Sequence, residues 1–423
     1  MNEEKNTQSW QSLAFVWAGA MICVPSLMIG GTLVSGMSFL QSLLVGLVGY
    51  GIIVVIMILQ GMQGTDLHRP TVSMASQVFG KAGSQKIISI ILMIACLGWF
   101  GIQANVCGQA FSTFLAIYGI NMPIQASSLL WGIIMLVSAL YGIKFLNILN
   151  YVAVPVLVVT CIYGVFVSIS NSAAGEILSY QGSGEVSMAS GLAITIGSFA
   201  LGAVIAGDYS QYCGSRKDVV KAATLGILPA GVLMIGVGAI LTLTAGTADI
   251  AEVFMGIGSP VLGVIALILA TWTTNAVNAF SGGLAMINVF NISKEKEKMA
   301  VAVAGGIGTV LAVAGILNYF VPIMSVLSAM VPAVAGVMIA SYWVVQKGDP
   351  AKWQPVAGVN WLGIASWLIG AVVACIPVVL SFFPSLPQLP NQPLIGIVLS
   401  FVCYLIGSKV FVKQSAQIQK VEE

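Results

Sequence analysis

Long apolar stretches, separated by short polar or glycine-rich segments, run along almost the whole chain. A helix that crosses a bilayer needs about 20 mostly apolar residues, and these stretches reach or approach that length. We predict spans at 13–35, 39–60, 87–116, 127–142, 146–169, 189–207, 219–245, 259–284, 299–317, 320–346, 358–383 and 393–413. The pattern predicts an all-α membrane protein of about twelve transmembrane helices.

The composition agrees with a membrane protein. Of the 423 residues, 58% are hydrophobic and only 7% are charged, whereas soluble domains contain about 25% charged residues. The net charge of +2 and the absence of a basic stripe give no indication of a nucleic-acid partner. The seven cysteines are odd in number and show no CxxC spacing, so we interpret them as packing residues.

The positions of the charged residues predict an orientation. If the N-terminus is cytoplasmic, all 16 Lys and Arg residues fall in the tails or in inner loops. The outer loops carry acidic residues instead, namely Glu176, Glu185, Asp249 and Glu252. Because an error of one span would spoil this pattern, the positive-inside rule supports the count. We expect a protein of the plasma (inner) membrane with both termini in the cytoplasm.

The longest outer connection divides the first ten spans into five and five. It runs from about Ser170 to Ala189 and is rich in glycine and serine. Two five-helix units of opposite orientation are typical of inverted-repeat transporters. We therefore predict a single transporter domain with repeats at 13–169 and 189–346 and two extra helices at 358–413.

Small and helix-breaking residues lie in the first span of each half. Span one carries Gly19, Pro25 and the pair at 30–31, and span six carries Gly197 and Gly202. Such residues mark helices that unwind near the membrane midplane and expose backbone groups to a ligand. The alternative is that these glycines only allow close helix packing.

Span eight contains the most polar stretch within any apolar run, at 270–278. Two hydroxyls, Thr273 and Thr274, and the carbonyl of Ala270 one turn earlier can present three oxygens to one point. Hard cations prefer oxygen ligands, so the stretch indicates a Na⁺ site completed by carbonyls of span one. Alternatively, the threonines bond back to their own helix.

Ionisable side chains are absent from mid-depth in every predicted span, and Asp208, at the inner end of span six, comes nearest. Because proton relays usually use such residues, the sequence favours Na⁺ coupling, with H⁺ coupling as the alternative. No phosphate-binding loop, HExxH motif or metal cluster indicates an enzyme or a cofactor.

A recognition surface for a flat polar heterocycle is predicted on three spans. Trp99 and Gln103 are four residues apart and share one helix face. The ring can stack and the amide can read donors and acceptors. Phe199 can stack opposite, and Asn275 and Asn278 can add hydrogen bonds. The alternative is that the rings pack the core and the amides tie helices together.

The chain resembles the nucleobase:cation symporter-1 family, and its cytosine permease branch in particular. The resemblance runs in order over nearly the whole chain and rests on Gly30-Gly31-Thr32-Leu33, on Gly98-Trp99-Phe100-Gly101, on Gly197-Ser198-Phe199 followed by Asp208 and Arg216-Lys217, and on Trp272-Thr273-Thr274-Asn275. It implies a LeuT-like fold of five plus five inverted helices and uptake of a nucleobase or related heterocycle, commonly with Na⁺.

The resemblance also implies roles for single residues. The cation would be held by the carbonyls of Gly19, Ile22 (or Cys23) and Ala270 and the hydroxyls of Thr273 and Thr274. Trp99 and Phe199 would sandwich the base, and Ser198 would hydrogen-bond it.

Two departures concern the pocket: Cys96 stands where cytosine permeases carry glutamine, and Ala276 stands where they carry aspartate. They put cytosine itself in doubt and leave purines, hydantoins, thiamine-precursor pyrimidines and an amino acid on the same fold as alternatives.

Overall fold

The computed structural model describes residues 8–422 apart from 141–142, 172–173, 248, 257–259 and 390–393, and its regular elements are helices. The α-helices are α1 Trp10–Met21, α2 Val24–Gly36, α3 Phe39–Leu67, α4 Thr71–Phe79, α5 Lys81–Ile117, α6 Ile124–Leu140, α7 Ile143–Asn171, α8 Ala174–Ser179, α9 Met188–Val204, α10 Ala206–Ser210, α11 Arg216–Ala245, α12 Ile250–Met255, α13 Pro260–Phe290, α14 Glu297–Val313, α15 Phe320–Ile339, α16 Trp361–Ser381 and α17 Ile395–Glu422.

Each predicted span coincides with a helix. Among the residues that the structure describes, six helical segments are long and apolar enough to cross a membrane, and α1 and α2 together form a seventh candidate span, bent by 57°. Shorter apolar helices lie within α6, α7, α9 and α17, and α14 occupies the remaining predicted position. The all-helical membrane fold is thereby confirmed, while the short helices α4, α8, α10 and α12 in the connections were not predicted.

The first helix group consists of α1, α2, α3, α9 and α11, which pack closely through glycines. A Cβ atom at Gly30 would lie 2.2 Å from the carbonyl oxygen of Ile235, and one at Gly238 would lie 2.1 Å from that of Leu27. Without side chains at these points, the backbones of α2 and α11 can touch. Close contact of this kind stabilises helix association through van der Waals packing. In lipid that contribution matters because burying apolar surface between helices provides little driving force there.

The second helix group consists of α5, α6, α13 and α14. Here a Cβ atom at Gly283 would lie 2.6 Å from the Cα atom of Val301, and one at Gly108 would lie 2.6 Å from the Cα atom of Ser128. The two groups therefore each form a tightly packed unit. The remaining long helices lie outside them: α15 packs on α9, α16 and α17 pack on α15, and α7 packs on α13.

The loops that carry most of the cations meet at one end of the molecule, which we call the cation-rich end. There Arg216 forms a bidentate ion pair with Asp66, at 2.7 and 2.8 Å. A π-helical turn at Ala340–Val345 follows α15 and places Tyr342, whose hydroxyl donates to the same carboxylate at 2.6 Å. At the opposite end, the Ser183 hydroxyl donates to the carbonyl of Ser35 at 2.8 Å.

Candidate substrate and ion site

Span one is broken between α1 and α2, at Ile22 and Cys23. Cys23 is extended (φ −148°, ψ 163°), and its N–H donates to the carbonyl of Met21 at 3.0 Å. The carbonyl of Gly19 therefore loses the donor that a continuous helix would supply one turn later. Pro25 in the first turn of α2 is compatible with this start, because its missing N–H has no helical partner there.

Span six is broken closer to the cation-rich end than predicted. α9 continues through Gly197 and Gly202, and the chain leaves helical geometry only at Ile205 before α10. A Cβ atom at Gly197 would lie 2.0 Å from the carbonyl oxygen of Met324, and one at Gly202 would lie 2.6 Å from the Phe199 ring. Both glycines therefore serve packing, and the prediction of unwinding at these two positions was wrong.

The predicted ion ligands of α13 form a compact oxygen cluster. The hydroxyls of Thr273 and Thr274 both donate to the carbonyl of Ala270, at 3.0 and 3.2 Å. Each hydroxyl oxygen keeps lone pairs, so these bonds bring three oxygens together without exhausting them as ligands. The cluster consists of neutral oxygens, which suits a hard monovalent cation. In the described part of the chain, no three His, Cys, Asp or Glu side chains form a metal cluster.

The antiparallel packing of α5 on α13 sets the depth of the substrate candidates. Cys96 lies beside Gly282, and the carbonyl of Phe100 accepts a hydrogen bond from Asn275 Nδ2 at 3.0 Å. In this register Trp99 lies level with Asn278, and Gln103 lies level with the threonine pair. The predicted substrate and ion residues of these two helices therefore occupy the same layer.

Gln103 is the least satisfied polar side chain of this layer. It is 1% exposed, and neither Nε2 nor Oε1 has a hydrogen-bond partner among the described residues. The Oδ1 atom of Asn275 and the Nδ2 atom of Asn278 are also buried without partners. Burying a polar atom without a partner costs about 1–3 kcal/mol, so a ligand with matching polar atoms would recover that energy.

The two predicted stacking rings are arranged differently. Trp99 contacts Phe320 edge-on, with ring centroids 6.3 Å apart and planes at 70°. The Phe199 ring lies along its own helix at Gly202 and is half-buried. The sandwich of a base between Trp99 and Phe199 stays a prediction. Phe320, at the start of α15, was not predicted, because nothing local in the sequence places it near span three.

Two predicted substrate ligands use their donors within the protein. The Ser198 hydroxyl donates to the carbonyl of Thr195 at 2.7 Å. Asn275 Nδ2 joins α13 to α5 and also contacts Met135 Sδ of α6 at 3.2 Å. The Ser198 bond stays within α9, whereas the Asn275 bond ties α13 to α5, so a role of either side chain toward substrate would rest on its acceptor atom.

Tyr50 is a further residue that the sequence analysis missed. It is fully buried in α3, and its hydroxyl has no hydrogen bond of normal geometry although Ser26 and Ser198 lie beside it. The hydroxyl thus lies between α2, just past the break, and the helix that carries Phe199. A lone tyrosine in the middle of an apolar span was the available signal.

Asp208 is the acidic group closest to this layer along span six. Its Oδ1 atom accepts a hydrogen bond from the backbone N–H of Thr71 at 2.6 Å. Burial raises the pKa of Asp208, and the bond from Thr71 partly opposes the rise. It lies beyond the end of the predicted span, so the described spans place no carboxylate beside the oxygen cluster.

Comparison with known proteins identifies relatives over most of the chain. Residues 1–399 match the family described as permease for cytosine/purines, uracil, thiamine, allantoin. The cytosine permease of Escherichia coli K12 is 27% identical over 361 residues, covering 85% of this chain and 84% of that protein. The hydantoin permease of Microbacterium maritypicum is 27% identical over 401 residues, covering 86% and 80%.

Solved structures show the same fold. Inward-facing Mhp1 superposes with a TM-score of 0.76 at 22% identity, covering 98% of this chain and 94% of Mhp1. Mhp1 with bromovinylhydantoin bound, described as a nucleobase-cation-symport-1 family transporter in a closed conformation, superposes with a TM-score of 0.73 at 20% identity, covering 97% and 94%. The LeuT-like fold is confirmed, while the exact bounds of the two repeats stay a prediction. This chain belongs to the family of permeases for cytosine/purines, uracil, thiamine and allantoin, and is an integral membrane transporter of nucleobase-like substrates rather than an enzyme.

Proposed function

We propose that this secondary transporter imports a nucleobase such as cytosine, or a related purine or pyrimidine heterocycle, together with Na⁺. The heterocycle would bind beside Trp99, Gln103, Ser198, Phe199, Asn275 and Asn278. Since the relatives compared include a cytosine permease and a hydantoin permease at the same 27% identity, the proposal is a ring class, not one compound.

The unpaired carboxamide of Gln103 carries this proposal. A carboxamide offers one acceptor and two donors side by side, which complements the adjacent C=O and N–H groups of cytosine, uracil and hydantoin. Trp99 lies one helical turn away on the same face and can stack on such a ring. An amino acid would instead require the free backbone N–H groups of an unwound helix for its carboxylate, whereas the unpaired polar atoms of Gln103, Asn275 and Asn278 belong to side-chain carboxamides.

The proposed ion site uses the carbonyls of Gly19 and Ile22 with the oxygen cluster of Ala270, Thr273 and Thr274. The first two belong to the first helix group and the others to the second. Na⁺ would supply positive charge that draws these oxygens together. Coupling then arises because both ligands favour the same arrangement of the two groups, and each must raise the affinity for the other by an equal factor.

Binding and uptake measurements test the proposal directly. Purified protein is screened by thermal shift with cytosine, uracil, hypoxanthine, hydantoin and L-leucine, in NaCl and in choline chloride. We expect at least one heterocycle to stabilise the protein, more strongly in NaCl, because a ligand that binds only the folded state stabilises it. Stabilisation by leucine alone, or equal shifts in both salts, would contradict the substrate class or the ion.

We further propose that the cation-rich end faces the cytoplasm, as the positive-inside rule predicts. Ser179→Cys and Ser293→Cys place thiols at exposed positions in the connection after α7 and in that after α13, respectively. In intact cells an impermeant thiol reagent should label the first variant and spare the second, relative to the background of native cysteines. Labelling of the second variant alone would reverse the orientation.

A further inference from the structure

A cavity of about 430 Å³ opens at the cation-rich end. It lies between α4, the start of α5 and the segment before α16, and its wall includes Arg69, Ser73, Lys81, Gln85 and Trp353. Lys81 is about six helical turns from Gln103 along α5. The cavity is therefore separate from the candidate transport site.

The charged side chains that line this cavity are all cations. Its wall contains two cations, Arg69 and Lys81, and no acidic residue. Within the described ranges, the ion pairs join Arg216 to Asp66 and Lys352 to Asp349, so both wall cations lack one. An excess of unopposed positive charge beside a cavity is what an anion requires.

The walls are held in place before any ligand binds. The backbone N–H of Lys81 donates to the carbonyl of Val356 at 2.9 Å, and the N–H of Val356 donates to that of Ser76 at 3.1 Å. Trp353 Nε1 donates to the carbonyl of Met74 at 3.3 Å. The Arg69 guanidinium lies 4.6 Å from the centroid of the Trp353 ring, a cation–π contact that orients it. A ligand would therefore meet a formed site.

We propose that this cavity binds the phosphate group of an anionic phospholipid. Arginine and lysine side chains are the usual protein partners of phosphate, and Ser73 and Gln85 add neutral donors. Most of the lining residues fall between the end of α3 at Leu67 and the apolar run of α5 that is predicted to begin at 87, so we expect the cavity to lie near the bilayer surface. Tryptophan is enriched at that level, and Trp353 supplies an apolar wall for the glycerol portion.

Occupancy of the cavity would affect movement of the two helix groups. α4 is the connection between α3 of the first group and α5 of the second, with Arg69 just before α4 and Lys81 just after it. A phosphate held by both cations would restrain this connection, so the lipid should change the transport rate. This last step rests on the proposed transport cycle, whereas binding of the lipid does not.

The test uses the full chain in detergent and measures binding of dioleoylphosphatidylglycerol by native mass spectrometry, with dioleoylphosphatidylcholine as the neutral lipid. The variant is Arg69→Gln/Lys81→Gln. The control, Lys296→Gln/Lys298→Gln, removes two exposed cations at the start of α14 at the same end. We expect the first variant to bind the anionic lipid about 30-fold more weakly, the factor that two cations near an anionic surface supply, and the control to bind as wild type.

Three outcomes would overturn the proposal. Equal losses in the two variants would mean general surface charge, and equal binding of both lipids would mean no phosphate site. Competition of the lipid by UMP or inorganic phosphate at micromolar concentration would assign the cavity to a soluble phosphate compound. If the glutamine variant does not fold, Arg69→Lys/Lys81→Arg keeps the charge and must keep the preference for the anionic lipid. Nucleobase binding serves as the separate measure of the transport site.

Discussion

Replacing Gln103 by leucine should stabilise the ligand-free protein and weaken its binding of substrate. The two side chains have similar volumes, so leucine fills the space without the two unpartnered polar atoms. If Gln103 had only a structural role, the leucine variant would melt at a lower temperature and bind substrate as wild type does. The paired readout therefore separates a binding role from a packing role.

The magnitudes follow from the burial of the carboxamide. Each unpaired buried polar atom costs about 1–3 kcal/mol, and we expect the variant to recover part of this. Scaling values from soluble domains of about 150–250 residues to this length gives roughly 1–2 °C in melting temperature for each kcal/mol. Two lost hydrogen bonds to the substrate, at about 0.5–1.5 kcal/mol each, should raise the Kd roughly 5- to 150-fold.

Asn105 provides a matched control on the same helix. It is buried like Gln103, but its Nδ2 atom donates to Ser128 Oγ at 3.1 Å and its Oδ1 atom accepts from the Leu317 N–H at 3.3 Å. Asn105→Leu should therefore lower the melting temperature. Thermal unfolding and isothermal titration with the strongest ligand of the screen measure both effects. A Gln103→Leu protein that melts earlier and binds normally would refute the assignment.

Four other changes test the remaining parts of the site. Thr273→Ala/Thr274→Ala should remove the stimulation of substrate binding by Na⁺, and a salt response equal to wild type would exclude this ion site. Trp99→Ala should weaken binding about 5- to 150-fold through loss of stacking worth about 1–3 kcal/mol; unchanged affinity would remove the ring from the site. Asp208→Asn keeps a side-chain oxygen that can accept the hydrogen bond from the Thr71 N–H, and it removes the charge. Because burial raises the pKa of the Asp208 carboxyl, protonation of that carboxyl stabilises the folded wild type as the pH falls toward this pKa. The variant should therefore melt higher at pH 7.5 by a margin that shrinks toward pH 4, and it should still take up substrate with Na⁺; loss of uptake would favour H⁺ coupling. Arg216→Gln should cost about 1 kcal/mol or less, since 42% of the guanidinium side chain is exposed, and an unchanged melting temperature would show that the ion pair contributes nothing.

Much of the fold could be predicted because lipid imposes simple rules on sequence. A long apolar run predicts a membrane helix, and all twelve predicted span positions coincide with helices. The orientation, predicted from the cations in the loops, stays a prediction. The break in span one was also accessible, since Pro25 stands where α2 begins. The break in span six was misplaced because a glycine inside a helix permits either unwinding or contact, and only the neighbouring helix decides which.

The candidate site was harder to predict for the same physical reason. Polarity within a span shows that Asn275 needs a partner, but the partner, the carbonyl of Phe100, belongs to another helix. The ring contact of Trp99 with Phe320 likewise depends on tertiary packing. Sequence therefore identified which residues are unusual, and the fold determined which of them remain unpaired.

No methyl group fits between α9 and α15 at Gly197, because the carbonyl of Met324 occupies that space. The two helices must therefore shift together wherever this contact persists. Phe320 lies one turn before Met324 and touches Trp99, so we predict that a displacement of α9 at Phe199 also moves the Trp99 ring. A heterocycle bound between Phe199 and Trp99 would in this way draw both rings toward itself. A Gly197→Ala substitution would push α9 and α15 apart and so uncouple the two rings.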